Sequence, residues 1–490
     1  MGGMREMIEG YITSSNHLAK KHVHPRLMKM FEMGAMGTVF TRAEGPYLYD
    51  TEGQRYLDML AGGGVFFLGR NHPHIKEALA DLVSMDLPNL CIVNASILGG
   101  LVAEKLIAIA GDHYGKVVFG NSGTEATDLS LRFARKVTGR RRFVYLQGAF
   151  HGRTYASISV CGFEQMKEGM EPLMPQCTPV RPNDIGALRK ELEKGDVAAF
   201  IFEPVQGMTL TDLDPAYLRE AERLCRTYGT LVIADEIQTG LGRMGGHWFA
   251  VNGIGIKPDL MTVSKTLSGG YAPVGALLIS EEVYSGVYNN FKAGPIYFST
   301  FAENNLAMGA SLATLQALEA MDAPKRAQEL SDQIRLGLRE LMKRYDCIDR
   351  IAGRGLMMGL YFKDSEKISL KLQQALVGAV DKGSFAAAFN VDMYAKKHVV
   401  LQIPGPDINA IKFLPPVILS DDDVQYFLGA LDDTFATFYG KGGPVISLGK
   451  ALAKDAVKGR RKKKVPANGA GAVHLDADEK KKSTDREVSS

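Results

Sequence analysis

Between about residues 75 and 320 the chain alternates short apolar runs with amphipathic stretches, and no other feature narrows its possible folds as far. KVVFGNSG, RRFVYLQGAF, VAAFIFEPVQG, GTLVIADEI, DLMTVSK and GALLIS read as strands, rich in β-branched and aromatic residues and bounded by glycine or polar residues. SGTEATDLSLRFARKVTG and PAYLREAERLCRTYG read as amphipathic helices. Apolar strands separated by helices imply an α/β architecture, a mostly parallel sheet with helices on both faces. Ligands of such sheets bind outside the carboxyl ends of the strands. The polar residues that follow those ends are therefore the first candidates for chemistry.

The flanking segments read differently. Residues 1–75 form an N-terminal arm, helical in its first part, followed by the hairpin PYLYDTEGQRYLDML with its turn at Asp50–Gly53. Residues 76–325 make the large domain. Residues 326–440 combine two long amphipathic patterns with the short strands GLMMGLYF, HVVLQI and AIKFLPPVIL, a smaller α+β domain to which both chain ends contribute. Residues 441–490 are polar, almost free of large apolar residues, and read as a disordered basic tail. The net charge of +3 is too small to argue for nucleic acid, and the KGRRKKK run reads as a solvated, solubilising feature.

No apolar run approaches the roughly 18 residues of a membrane span, and the N-terminus lacks an apolar signal core, so a cytoplasmic protein is expected. Its five cysteines are dispersed, without CxxC or zinc-type histidine spacing, which reads as reduced thiols and no metal site.

Asp235 closes the apolar run LVIAD and projects at the sheet's carboxyl edge, where a carboxylate is more often a cap than a catalyst. Lys265 closes the next run, LMTVSK. Burying an ammonium costs several kcal/mol unless it is paired or neutralised, and condensation with an aldehyde is one way to neutralise it. An acid and an amine on neighbouring strand ends are the two groups that pyridoxal phosphate (PLP) needs: one to keep its pyridine nitrogen protonated, one to hold its aldehyde and move a proton. The run KVVF enters Gly120-Asn121-Ser122-Gly123-Thr124 and then a helix, whose first N–H groups and hydroxyls suit a phosphate. Ser122 to Glu125 also spell an S-x-x-E capping box, which needs no ligand. Phe150 lies just past a strand end, placed either to stack on an aromatic ring or to join the core.

The set NSGTEA, GAFHGRT, FEPVQG, IADEIQTGLGRMG, KPDLMTVSKTLSGGYAPVGA and FSTFAENNLA, in this order, resembles the class III aminotransferases of PLP fold type I: the ornithine, acetylornithine, 4-aminobutyrate and putrescine enzymes. The similarity covers roughly residues 25–435. The resemblance implies a seven-stranded-type central sheet and a homodimer with shared active sites. It gives Lys265 as the lysine that carries PLP, Asp235 as the partner of the pyridine nitrogen and Gln238 as the hydrogen-bond partner of the phenolic oxygen. Ser122, Gly123 and Thr124 bind the phosphate, joined by Thr300 from the other subunit. Phe150 stacks on the ring, Glu203 completes the polar network, and Arg153 receives the distal carboxylate of 2-oxoglutarate.

Two positions depart together from the ornithine-type pattern. The second Glu after EPxQG is Met208, and the Arg of the C-terminal R-F/I-x-P-P context is Lys412, in AIKFLPPVIL. Lysine tolerates a less polar site by shifting its pKa but cannot make the two-pronged bond of arginine to a carboxylate. GGGVFFLG places Phe66 and Phe67 where relatives line the substrate entrance, although both also suit a packing role. The loop after Thr300 reads Ala302–Asn305, AENN, in place of the family's GGNP.

The expected activity is ping-pong transfer of an amino group from the terminal amine of a diamine, ω-amino acid or alkylamine to a 2-oxo acid. The amine donor and the oxo-acid acceptor are the expected partners. A decarboxylase, racemase or aminomutase of the same fold, or a non-catalytic binding protein using its basic tail, are the competing readings.

Overall fold

The computed structural model describes residues 3–440 apart from 34–36, 91–94, 369, 372–373 and 376–382. The tail from 441 onward, read as disordered, lies outside the described residues. The N-terminal arm is helical at Met4–Tyr11, Ser15–His22 and Pro25–Met33 and has no buried residue in its first two helices. Next come three antiparallel strands, β1 (Phe40–Glu44), β2 (Tyr47–Asp50) and β3 (Arg55–Asp58), the last two forming the expected hairpin.

All six apolar runs of the central region form strands: β4 (Tyr114–Gly120), β5 (Arg142–Leu146), β7 (Val197–Phe202), β8 (Leu231–Asp235), β9 (Leu260–Val263) and β10 (Gly275–Ser280). A seventh, β6 (Cys177–Val180), pairs in parallel with β5 at the sheet's edge. The spatial order is β4-β10-β9-β8-β7-β5-β6, and only β10 runs against its neighbours. This is the mostly parallel sheet that the apolar runs implied. Residues of β7 are buried along their whole length, as strands covered on both faces require.

Helices cover the sheet because their ends are well specified. The helix Gly123–Thr138 is capped by the Ser122 hydroxyl, which accepts from Glu125 N, and ends on Gly139 in the left-handed region. Asp214 caps Pro215–Thr227 with proline in its first turn. Toward the C-terminus, β11 (Ile348–Arg354), β12 (Met357–Phe362) and β14 (Ala410–Phe413) form a three-stranded antiparallel sheet. The short β13 (Val399–Val400) pairs in parallel with β3, so residues from both halves of the chain meet in one sheet.

Because β4, β5, β7, β8 and β9 all point the same way, Gly120, Leu146, Phe202, Asp235 and Val263 end at a single edge. The site is built there.

Candidate active site

Lys265 begins immediately after β9 and the linking Ser264, in a left-handed conformation (φ +39) that a non-glycine side chain adopts only when its surroundings hold it. The Ser264 hydroxyl donates to Val274 O at 2.6 Å and ties this turn to β10. Lys265 is half-buried, and its Nζ makes no hydrogen bond among the described residues. Removal from water lowers its pKa below the usual lysine range, against the opposing pull of Asp235 and Glu203. The amine is thus biased toward the unprotonated, nucleophilic form.

On the neighbouring strand end, Asp235 accepts from Ile237 N at 3.0 Å and from His151 Nδ1 at 2.7 Å. A carboxylate can only accept, so the imidazole donates. Burial disfavours the charged His151, but the Asp235 bond and charge outweigh it and raise the histidine's pKa. His151 Nε2 is buried without a partner. At the end of β7, Glu203 receives Phe150 N at 2.8 Å on one oxygen and Gly207 N at 2.7 Å on the other. Burial raises its pKa, with the His151 charge opposing. Glu203 thereby fixes the backbone that carries Phe150.

Gln238 donates to Gly63 O at 2.8 Å and accepts from Lys412 Nζ at 2.9 Å. Lys412, buried on β14, also donates to Gly207 O. Burial and the nearby Lys265 and Arg243 charges bring its pKa down to about 7, Glu203 opposing. At the start of the helix Gly123–Thr138, a Cβ on Gly123 would stand 2.9 Å from Ile237 Cδ1 and intrude on the cradle. Thr124 Oγ1 lies 2.7 Å from both Thr154 Oγ1 and Ser157 Oγ.

Nine residues singled out in the sequence, Gly123, Thr124, Phe150, Arg153, Glu203, Asp235, Gln238, Lys265 and Lys412, line one cavity of about 440 Å³. Ser122 borders an adjoining cleft that also reaches Lys265. Arg153 is exposed at the rim, its guanidinium 5.9 Å from the Phe150 ring. Met208 lies in the wall. Thr300 sits elsewhere in this chain, exposed beside a separate cleft with Ser96, Phe298 and Ser299.

Phe66 and Phe67 do not line the cavity, contrary to the expectation from the sequence. Gly62, Gly63 and Gly64 all have positive φ, and this turn presents the glycine backbone to the cavity while directing the rings away. Phe67 is fully buried under the Arg243 guanidinium, and Phe66 packs against Gly270 with Arg70 over its ring. Sequence reasoning also missed His151, Gln402 and Pro404, all of which line the cavity. For His151 the signal was present, since it separates Phe150 from Arg153 within GAFHGRT.

These residues fit PLP. They offer an amine without a hydrogen-bond partner, a buried acid backed by a histidine, an aromatic side chain, and an anion cradle at a helix start that added Cβ atoms would fill. Fold and site together define a fold type I PLP enzyme. Among the described residues no group of histidine, cysteine and acidic side chains could hold a metal, and no helix is long and apolar enough to cross a membrane.

The family model for class III aminotransferases matches residues 31–435, and the chain belongs to that family: it is a PLP-dependent transaminase. It is 33% identical over 410 residues to the aminotransferase PigE of a Serratia species, covering 83% of this chain but 45% of that longer protein. It is 34% identical over 387 residues to an acetylornithine aminotransferase of Bacillus cereus, covering 79% of this chain and 92% of the relative. The crystal structure of an amine transaminase from an uncultivated Pseudomonas species, in its PLP-bound form, superposes with a TM-score of 0.73 at 26% identity, covering 81% of this chain and 94% of that one.

Proposed function

We propose that this transaminase takes the terminal amine of a diamine, ω-amino acid or alkylamine and passes its amino group to a 2-oxo acid such as 2-oxoglutarate or pyruvate. It works as a cytoplasmic homodimer whose Thr300 completes the partner subunit's phosphate site. When bound, PLP supplies an aldehyde that condenses with amines and a ring that absorbs the electrons released at the substrate carbon. Ser122, Gly123 and Thr124 hold its phosphate, Phe150 covers its ring, Asp235 holds the proton on its pyridine nitrogen, and Gln238 faces its phenolic oxygen.

Lys265 Nζ takes the proton from the amine-bearing carbon of the donor and, in the second half of the cycle, returns one to the oxo carbon of the acceptor. Its lowered pKa suits it to begin as a base. Donor and acceptor both need this one lysine in one cavity, so the first product leaves before the acceptor enters, which is a ping-pong order.

The observation that carries the donor preference is the cavity wall at Met208 and Lys412. Lys412 is committed to Gln238 and Gly207 and is poised near neutrality, so a carboxylate next to the reacting carbon meets no guanidinium there. A distal carboxylate can reach Arg153 at the rim. Turnover of ornithine, putrescine, 4-aminobutyrate and a medium-chain alkylamine, each with 2-oxoglutarate and with pyruvate, tests the proposal. These terminal amines should have a higher kcat/KM than norvaline, whose carboxylate lies beside the reacting carbon, and a marked preference for norvaline would overturn the proposal.

A further inference from the structure

The Gln238 amide faces two neighbours with opposite requirements. Its nitrogen lies 2.8 Å from Gly63 O and its oxygen 2.9 Å from Lys412 Nζ. A carbonyl can only accept, and the lysine nitrogen presents N–H. Only one orientation of the amide satisfies both. Turned over, it would set its oxygen against a carbonyl and its NH2 against the lysine N–H. Lys412 is held in place at a second point, because it also donates to Gly207 O. Gly207 N is in turn bound to Glu203 at 2.7 Å. This approach depends on the glycine: a Cβ on Gly207 would stand 2.6 Å from Gln238 Oε1.

We propose that Lys412 is the positioning residue of Gln238: its hydrogen bonds to Gln238 Oε1 and Gly207 O fix the amide so that its N–H side faces the phenolic oxygen of the bound cofactor. This rests on the reading of Gln238 given above. It assigns Lys412 a task that precedes substrate binding and that a neutral aliphatic residue cannot perform. The clamp survives titration of the lysine, since an amine retains two N–H groups for its two acceptors. The charged groups acting on Lys412 are Lys265 and Arg243, which with burial lower its pKa, and Glu203, which opposes them.

The test uses the full-length holoenzyme without substrate, comparing wild type with K412M, K412R and Q238L. Two quantities are read: the pH midpoint of the cofactor's visible band and the dissociation constant of PLP from the apoprotein. Losing the ordered donor leaves the phenolic oxygen more basic, so K412M should raise the midpoint by about one unit and weaken cofactor binding about tenfold. Q238L should do the same. K412R, which can donate to both acceptors, should stay near wild type. A Lys412 that acts only through its charge or only on substrate carboxylates leaves the dissociation constant of PLP in K412M at the wild-type value, and that outcome overturns the proposal.

An unchanged midpoint in K412M overturns the proposal. If Q238L still shifts, the reading of Gln238 stands while the role of Lys412 falls; if neither shifts, both fall. Should K412M not fold, a K412R band shifted like that of Q238L overturns the proposal, and a wild-type band in K412R beside a shifted Q238L supports it.

Discussion

Two side chains at neighbouring strand ends, Asp235 buried and Lys265 half-buried, carry most of what can be said residue by residue. Lys265 combines a strained backbone with a depressed pKa, and both act through one nitrogen. Lys265→Ala should therefore lower turnover by about four orders of magnitude, the scale of losing a catalytic base and covalent attachment together. Borohydride reduction followed by peptide mass analysis should fix cofactor at Lys265 in wild type and fix none in the variant. Next to Asp235, Glu236 is fully buried and takes no part in the proposed chemistry: it accepts from Val251 N at 2.9 Å and from the Thr239 hydroxyl. Burial raises its pKa from 4.5 to about 7. The folded chain thus holds this proton more tightly than the unfolded chain. The associated stability is full below pH 4.5 and is lost as pH rises to about 7, on the order of 3 kcal/mol. Glu236→Gln keeps both contacts without a charge, its oxygen accepting from Val251 N and its NH2 donating to the Thr239 hydroxyl. Its melting temperature should exceed that of wild type at pH 8 and match it near pH 4.5, and equal melting temperatures at pH 8 would refute the assignment.

Among the elements, the loop Gly148–Ser157 and the start of the helix Gly123–Thr138 are locked together. Gly152 has φ +134, and a Cβ there would fall on the Thr124 hydroxyl and crowd Ser157 Oγ at 2.7 Å. Gly152→Ala should displace Thr124 from the phosphate cradle and raise the PLP dissociation constant at least about tenfold, a cost of roughly 1.4 kcal/mol, as equilibrium dialysis would measure. A milder change, Ser122→Ala, removes the helix cap together with one hydroxyl of the proposed phosphate cradle, and should cost about 1 kcal/mol of folding stability, read as a lower melting temperature, besides weakening PLP binding.

The same elements show why the sequence could be read so far and no further. Five of the six long runs, β5 and β7 to β10, declared themselves because strands buried on both faces are continuously apolar, whereas β4, at the sheet's edge, was legible from its VVF run. β6 escaped because it is a four-residue edge strand containing Pro179, a residue that edges alone tolerate. β11 escaped because IDRIAGR has only a weak alternation of buried and exposed positions. That Lys265, Asp235 and Gln238 line one cavity was legible from their motifs. The His151–Asp235 contact spans 84 positions and arises only when β5 and β8 are set in one sheet. Phe66 and Phe67 were misplaced because three consecutive left-handed glycines decide which side of the turn meets the cavity, and residue type alone does not reveal that.

At the scale of the whole molecule, the cluster around Thr300 is one apolar feature that a single chain leaves open to solvent. Phe298 is 60% exposed, Phe301 63% and Ile97 53%, and Ile97 and Phe298 border the same cleft as Thr300. The two loops involved are joined, since the Ser96 hydroxyl donates to Glu303 O at 3.1 Å. Large apolar side chains gathered on connected loops mark an interaction surface more than an ordinary exterior. A second copy of the chain is the proposed occupant, because Thr300 can serve as a phosphate ligand only across such a contact. Light scattering should then give twice the 53.4 kDa chain mass for the holoenzyme. Phe301→Asp should shift the population toward monomer and weaken PLP binding in parallel, as a charge forced into an apolar contact removes both the interface and the ligand it delivers. A wild-type monomer retaining cofactor with unaltered affinity would break the link between Thr300 and the site, and the phosphate would then be held by the Gly123 helix start alone.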